Sequence, residues 1–351
     1  MNQDRIAIIV GTRPEAIKMA PVFLESYKIN RNKYLYLSGQ HTDMVDDVLE
    51  FFEISENVFR DEVVRTTNSI NEIFVQVMAN VERFITNYRI TQIVVHGDTT
   101  TAAAAAISSY NLKQSVVHVE AGLRSGDFIL PFPEEMNRKL ISQTSKLNFA
   151  PTEQAKKNLL NAGCDSRNIH VVGNTIVDAL NYAKNKISKL DLRIDRVLIT
   201  IHRRENLIHL DEICEGVNEL SLRHPNLTFV WPLHPNPAIR LKVEQKLGIN
   251  SNVLLTSHMG YGEFITAMMS SLVVITDSGG IQEECTTLGI PTLIVRDQTE
   301  RPEVLEAGIA DLVGVDIQKL VSRFEEFIKL ERKPSQIFGD GKSSIRIVSE
   351  L

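Results

Sequence analysis

Five clusters of charged or small polar residues each stand just after an apolar, β-branched run. Arg13 and Lys18 follow Ile6-Ala7-Ile8-Ile9-Val10, Asp98 follows Ile93-Val94-Val95, and Glu120 follows Val116-Val117-His118-Val119. His202-Arg203-Arg204-Glu205 follows Val197-Leu198-Ile199-Thr200-Ile201, and Ser278-Gly279-Gly280 follows Leu272-Val273-Val274-Ile275. Arginine and lysine beside a helix start can bind an anion such as phosphate. Carboxylates and a histidine can take and return protons. These residue types describe a basic phosphate-binding part and a carboxylate-rich reaction part.

In Gly11-Thr12-Arg13-Pro14-Glu15 the glycine permits a tight turn and the proline suits a first helical turn. Arg13 and Lys18 then approach an anion near the helix N-terminus; a solvated charged turn is the alternative. Thr276-Asp277-Ser278-Gly279-Gly280-Ile281-Gln282-Glu283-Glu284 is more specific. Ser278, Gly279 and Gly280 can offer N–H groups and a hydroxyl to phosphate, and Glu284, about one turn further in, can accept from a ribose diol. An ordinary glycine-rich cap is the alternative. After a further strand, Arg301 is suited to a diphosphate or to a surface charge cluster. Asp98, Glu120, Glu134 and His202 are the candidates for the reaction centre. Singly, each has a bland reading: Asp98 as a helix N-cap, Glu134 as a complement to a helix dipole, His202 as a structural histidine.

Stepwise βα alternation positions these clusters. Strands are expected near 5–10, 34–38, 92–96, 115–119, 147–150 and 168–172, and again near 196–201, 227–231, 252–255, 272–275, 291–295 and 311–313. Helices are expected at 99–109, 152–162, 209–224 and 316–330. Twelve such strands suit two parallel sheets of about six, an α/β chain of two Rossmann-like domains with a central cleft. The weakly hydrophobic stretch Asn185–Arg193 is the expected linker, dividing residues 1–185 from 186–338. Residues 339–351 form a last helical piece, which fold analogy packs back on the first domain.

The chain has 351 residues and a net charge of −6, which argues against a general nucleic-acid binder. Its three cysteines, Cys164, Cys214 and Cys285, lack metal spacing and read as reduced structural thiols of a cytoplasmic protein. The first residues lead directly into a strand and do not read as a signal peptide, and no apolar stretch approaches the roughly 20 residues that span a bilayer. There is no GxGxxG after the first strand, no HExxH and no paired-cysteine zinc motif. Gly341-Lys342-Ser343 imitates the end of a Walker A loop, but Gln336 stands where the upstream glycine is required.

Taken together, these motifs resemble the non-hydrolysing UDP-N-acetylglucosamine 2-epimerases. The resemblance rests on Gly11-Thr12-Arg13-Pro14-Glu15-Ala16-Ile17-Lys18, His96-Gly97-Asp98-Thr99, His118-Val119-Glu120-Ala121-Gly122-Leu123-Arg124 and Pro131-Phe132-Pro133-Glu134-Glu135. It continues through Thr200-Ile201-His202-Arg203-Arg204-Glu205-Asn206, Asp277–Glu284 and Thr299-Glu300-Arg301-Pro302-Glu303, in order from about residue 6 to 345. It implies a GT-B-like fold, reversible epimerisation at C2 of UDP-N-acetylglucosamine to UDP-N-acetylmannosamine, no redox cofactor, no metal and a homodimer. The product would supply bacterial surface polysaccharides.

The resemblance also implies roles. Asp98, Glu120 and Glu134 match the catalytic carboxylates, and His202 an essential histidine. Arg13, Lys18, Phe264, Ser278, Gly279, Gly280, Glu284 and Arg301 match the UDP-binding residues. Gln40, His41, Arg203 and His234 are consistent with a second site for an activating UDP-N-acetylglucosamine. However, Asp43 stands where a glutamine often contacts that activator. The competing readings are a hydrolysing epimerase, which usually opens GSRAEYG, an epimerase of a modified UDP-sugar, which opens GARPQ, a glycosyltransferase, and a non-catalytic UDP-sugar sensor.

Overall fold

The computed structural model describes residues 5–30, 32–40, 43–63, 69–127, 131–187, 194–233, 236–257 and 259–351. The chain forms two compact units, Met1–Tyr182 with Phe338–Leu351, and Ala183–Ile337. Asn185–Ile187 of the expected linker end the helix Thr175–Ile187, and its remaining residues, 188–193, lie outside those described.

The first unit is built on a seven-stranded sheet. Its strands are β1 (Ile6–Val10), β2 (Lys33–Leu37), β3 (Val58–Arg60), β4 (Gln92–His96), β5 (Ser115–Val119), β6 (Leu147–Ala150) and β7 (Ile169–Val171). They pair in the order β3-β2-β1-β4-β5-β6-β7, parallel throughout. The second unit holds β8 (Arg196–Thr200), β9 (Thr228–Pro232), β10 (Val253–Thr256), β11 (Ser271–Thr276), β12 (Thr292–Ile294) and β13 (Ala310–Leu312). These pair in the order β10-β9-β8-β11-β12-β13, again parallel.

All twelve expected strands are present within a residue or two. The first sheet has one more, β3, which sequence reading missed. Its three residues, Val58-Phe59-Arg60, form a short edge strand without an apolar run, and only pairing with Leu35–Leu37 makes them extended. Parallel strands covered on both faces need apolar side chains on both, so β1 and β4 are almost wholly buried β-branched runs. The alanine run Ala102–Ala106 is fully buried because small side chains let its helix, Thr100–Asn111, lie close to its neighbours. Cys214 and Cys285 are buried among apolar groups, and burial pushes both thiols up to about 12.

In both sheets the order reverses between two strands, β1 and β4 in the first and β8 and β11 in the second. Ligands of open α/β sheets bind beyond the strand ends at such points. Arg13 and Asp98 lie there in the first unit and His202 and Ser278 in the second, while Glu120 and Arg301 follow the next strands over, β5 and β12.

The C-terminal helix Ser343–Ser349 packs on the helix Arg13–Ile29 of the first unit. Asp178 holds its start, accepting from the backbone N–H of Ser343 at 3.2 Å and Ser344 at 2.9 Å, and from Ser344 Oγ at 2.6 Å. A buried carboxylate here satisfies donors that a helix start leaves open and complements the dipole. Asp178→Ala should cost about 1.5–3 kcal/mol, the range for hydrogen bonds to a charged group. Hydrogen exchange should show faster exchange at the Ser343 and Ser344 amides; unchanged protection would refute this role.

Candidate functional site

In the first unit, Gly11 and Thr12 turn the chain from β1 into the helix Arg13–Ile29. Glu15 Oε2 accepts from Gly11 N (3.0 Å), Thr12 N (2.7 Å) and Thr12 Oγ1 (2.8 Å), and Oε1 accepts from Thr99 Oγ1 at 2.7 Å. Burial raises the Glu15 pKa against the lowering effect of these donors. This carboxylate therefore ties the β1 turn to the β4 turn, a role that its sequence position did not reveal. A Cβ on Gly11 would come within 2.6 Å of Thr101 Cβ, so only glycine allows this approach.

Beyond β5 the backbone of Glu120 has φ +60°, a left-handed conformation unfavourable to a glutamate. That turn aims its carboxylate at Lys18 Nζ, with which Oε2 forms a buried ion pair. Asn174 Nδ2 donates to the same oxygen at 2.8 Å, and His96 Nε2 lies 3.6 Å away. Lys18 and Glu120, which sequence assigned to different parts of the site, are thus direct partners.

His118, two residues before Glu120, is buried. Burial lowers its pKa to about 4, so the ring is neutral near pH 7. Its Nε2 lies 2.8 Å from the Gly97 carbonyl, so that nitrogen carries the proton.

Asp98 is not the N-cap of the next helix. Thr99 is, its hydroxyl accepting from Ala102 N at 3.0 Å. Asp98 instead receives Arg138 Nη2 at 2.5 Å, while Arg138 Nη1 lies 3.1 Å from Glu135. Asn137 Nδ2 donates to the Asp98 carbonyl at 2.9 Å. Arg138 and Asn137 belong to the helix Glu134–Thr144, so the helix that begins with Glu134 also holds the Asp98 turn. Arg13 lies 3.7 Å from Asp47, and Gln40 accepts from Thr101 Oγ1 at 2.7 Å. His41 lies outside the described residues.

In the second unit, the turns after β8 and β11 meet at Asp277. This wholly buried carboxylate accepts from the backbone N–H of His202 (3.1 Å) and Arg203 (2.9 Å), and from Asn206 Nδ2 (3.0 Å). His202 is half-exposed, with Nδ1 3.5 Å from Asp277 Oδ1. Ser278 is the N-cap of the helix Gly279–Leu288, followed by Gly279 and Gly280. A Cβ on Gly279 would come within 2.8 Å of Arg301 Cζ, so the missing side chain makes room for the guanidinium.

Arg301 is paired with Glu283 through Nε. It also joins Arg203 and Arg296 around Glu300: Arg296 is bidentate at 2.8 and 3.0 Å, Arg203 lies at 3.6 Å and Arg301 at 3.7 Å. Burial by itself would raise the Glu300 pKa, but the three guanidiniums outweigh it and hold the carboxyl well below the usual range. Arg203, read from sequence with the second site, therefore stands in the same cluster as Arg301. Phe264 is half-buried on the helix Tyr261–Met269, and Glu284 is buried on Gly279–Leu288. His234 lies outside the described residues.

The second unit thus gathers three arginines, together with the carboxylates that hold them, near a glycine-rich helix start, an arrangement suited to phosphate. The first concentrates carboxylates with basic partners, suited to proton transfer. Sequence reading named the arginines, Asp98, Glu120 and Glu134. It gave no role to Glu15, Asp277, Glu283 or Glu300, the buried carboxylates that hold them or their turns. Their one signal was an acidic residue repeatedly set within an otherwise basic or glycine-rich turn. Among the described residues there is no cluster of His, Cys, Asp or Glu that could hold a metal ion and no helix long and apolar enough to cross a membrane.

The profile of the family described as UDP-N-acetylglucosamine 2-epimerase matches residues 28–351. The UDP-N-acetylglucosamine 2-epimerase of Neisseria meningitidis serogroup A is 38% identical over 368 residues, covering 99% of this chain and 99% of that protein. The crystal structure of the Neisseria meningitidis enzyme bound to UDP-GlcNAc is similar with a TM-score of 0.92 at 36% identity, covering 99% of both chains. That of the Methanocaldococcus jannaschii enzyme in complex with UDP-GlcNAc and UDP has a TM-score of 0.90 at 34% identity, again covering 99% of both. The fold of these neighbours is GT-B-like.

Glu300→Gln would remove the counter-charge that Arg203, Arg296 and Arg301 share, although Arg301 keeps Glu283, and should cost about 3–5 kcal/mol at neutral pH, as when a buried ion pair loses one partner. Because the folded pKa lies below the ordinary 4.5, the wild-type advantage is present above that value and is lost as pH falls through the folded pKa. The single tryptophan, Trp231, is buried in β9 of the same unit, so its fluorescence can follow denaturant unfolding there. The gap between wild type and variant should narrow from about pH 5 to pH 3; a constant gap would refute this assignment.

Proposed function

The chain belongs to the UDP-N-acetylglucosamine 2-epimerase family, and from that premise we propose that it interconverts UDP-N-acetylglucosamine and UDP-N-acetylmannosamine without releasing free sugar. The C2 proton of the sugar has no adjacent carbonyl, so removing it alone would demand a costly carbanion. Coupling its removal to departure of UDP from C1 avoids that carbanion and leaves a 2-acetamidoglucal with UDP still bound. Protonation of C2 from the opposite face and re-addition of UDP at C1 complete the inversion. One group must remove the proton and another must deliver one from the other face.

In this reading Asp98, Glu120 and Glu134 carry the proton chemistry. Arg13, His202, Arg301 and the Ser278-Gly279-Gly280 helix start take up the charge of the leaving diphosphate, with Lys18 assisting. Phe264 lies near uracil and Glu284 accepts from the ribose. Gln40, His41, Arg203 and His234 remain candidates for an activator site, a role that Asp43 disfavours. The same reading makes the protein a cytoplasmic homodimer that needs no metal or redox cofactor and supplies surface polysaccharide synthesis. The observation that most supports it is Glu120. A glutamate held in left-handed backbone and buried against Lys18 is a costly arrangement, and such strain clusters at working sites.

Proton NMR of UDP-N-acetylglucosamine with the protein in heavy water tests the reaction. Deuterium should enter C2 while UDP-N-acetylmannosamine appears and the sugar–phosphate bond survives. Stoichiometric UDP and free N-acetylmannosamine would instead show the hydrolysing reaction. Glu120→Gln should slow C2 exchange by about 100-fold or more, within the range for loss of a general acid or base.

A further inference from the structure

Asp277 lies in the turn after β11, while His202 lies in the turn after β8. We propose that Asp277 is a positioning residue that fixes the orientation and tautomer of the His202 ring. The proposal rests on the role of His202 given above.

The carboxylate is wholly buried, and its polar surroundings converge on the His202 turn. The backbone N–H of His202 donates to it at 3.1 Å and that of Arg203 at 2.9 Å, which sets where the His202 Cα stands. Asn206 Nδ2 donates to Oδ2 at 3.0 Å and to the Val295 carbonyl at 2.7 Å, so the carboxylate is locked from a third loop as well. Oδ1 also accepts from the His202 backbone N–H at 3.2 Å and lies 3.5 Å from His202 Nδ1. A carboxylate oxygen accepts and does not donate, so its approach favours the proton on this nitrogen of the neutral ring. Nε2, on the other edge of the imidazole, is then the acceptor.

Two further features match this role. The His202 side chain is 50% exposed, so one edge of the ring is accessible while the other faces a buried charge. Thr200 and Thr276, immediately before the two turns, join their hydroxyls at 2.7 Å, and Thr276 Oγ1 accepts from Ser278 N at 3.0 Å. The threonines already hold the strand ends together. Asp277 is therefore not needed merely to pair β8 with β11, and its carboxylate acts on the residues beyond them. A histidine oriented by a buried carboxylate presents its far nitrogen in one defined state, as in hydrolase triads.

The tautomer can be read without substrate, so its outcome is separable from that of the epimerase reading. In ¹⁵N NMR of the wild-type protein, with the His202 signal assigned by its loss in His202→Asn, the neutral ring should carry its proton on Nδ1. A proton on Nε2 would overturn the proposal, and this measurement requires no variant of Asp277 to fold. Kinetics provide the second test. Asp277→Asn should lower kcat by about 10-fold or more, the direction seen when a histidine loses its orienting carboxylate, with UDP affinity changed far less. In the His202→Asn background the same substitution should have little further effect, because it acts through the ring. An undiminished kcat in Asp277→Asn, or full additivity with His202→Asn, would overturn it.

Discussion

A parallel strand covered on both faces has no room for a charge along its length, so polar chemistry is pushed to its ends. Most features of this protein follow from that constraint. The buried runs of β1, β4 and β5 end in Gly11, Asp98 and Glu120, and those of β8 and β11 end in His202 and Ser278. In each sheet the first of these strands lies beside the point where strand order reverses, so loops that are far apart in the chain become neighbours.

Neighbouring polar loops must then be held without water. Each unit does this with buried carboxylates that collect donors from several turns. Glu15 joins the turns after β1 and β4, Asp277 those after β8 and β11, and Glu300 gathers Arg203, Arg296 and Arg301. A buried charge is costly when isolated and tolerable when several donors share it. These acceptors therefore set the positions of the groups around them, and their own burial makes the arrangement rigid. Gly11 and Gly279 serve the same end from the steric side, each vacating space that Thr101 or Arg301 fills.

The two units carry different kinds of side chain. The first brings Glu120 and Lys18 into a buried pair and holds Asp98 with Arg138. The second sets a serine–glycine helix start beside three arginines. The proposed reaction, which eliminates a nucleoside diphosphate while moving a proton at the neighbouring carbon, calls for both kinds of group, one to take the charge that leaves and one to take the proton.

Much of this was legible from residue order. β-branched runs ending in glycine, proline or a charge are local signals, and they located twelve strands and the candidate clusters. Local pattern failed where the signal is not local. β3 is extended only because it pairs with β2, and Asp98 looked like a helix cap although Thr99 performs that task and Asp98 turns to Arg138. The sequence by itself determined which residues stand at the strand ends, because apolar periodicity and turn chemistry act over a few residues. Only the tertiary structure decided which carboxylates face a cation and which hold the backbone. Asp277 is 75 residues from His202, and nothing in the intervening chain brings them together; they meet because β8 pairs with β11.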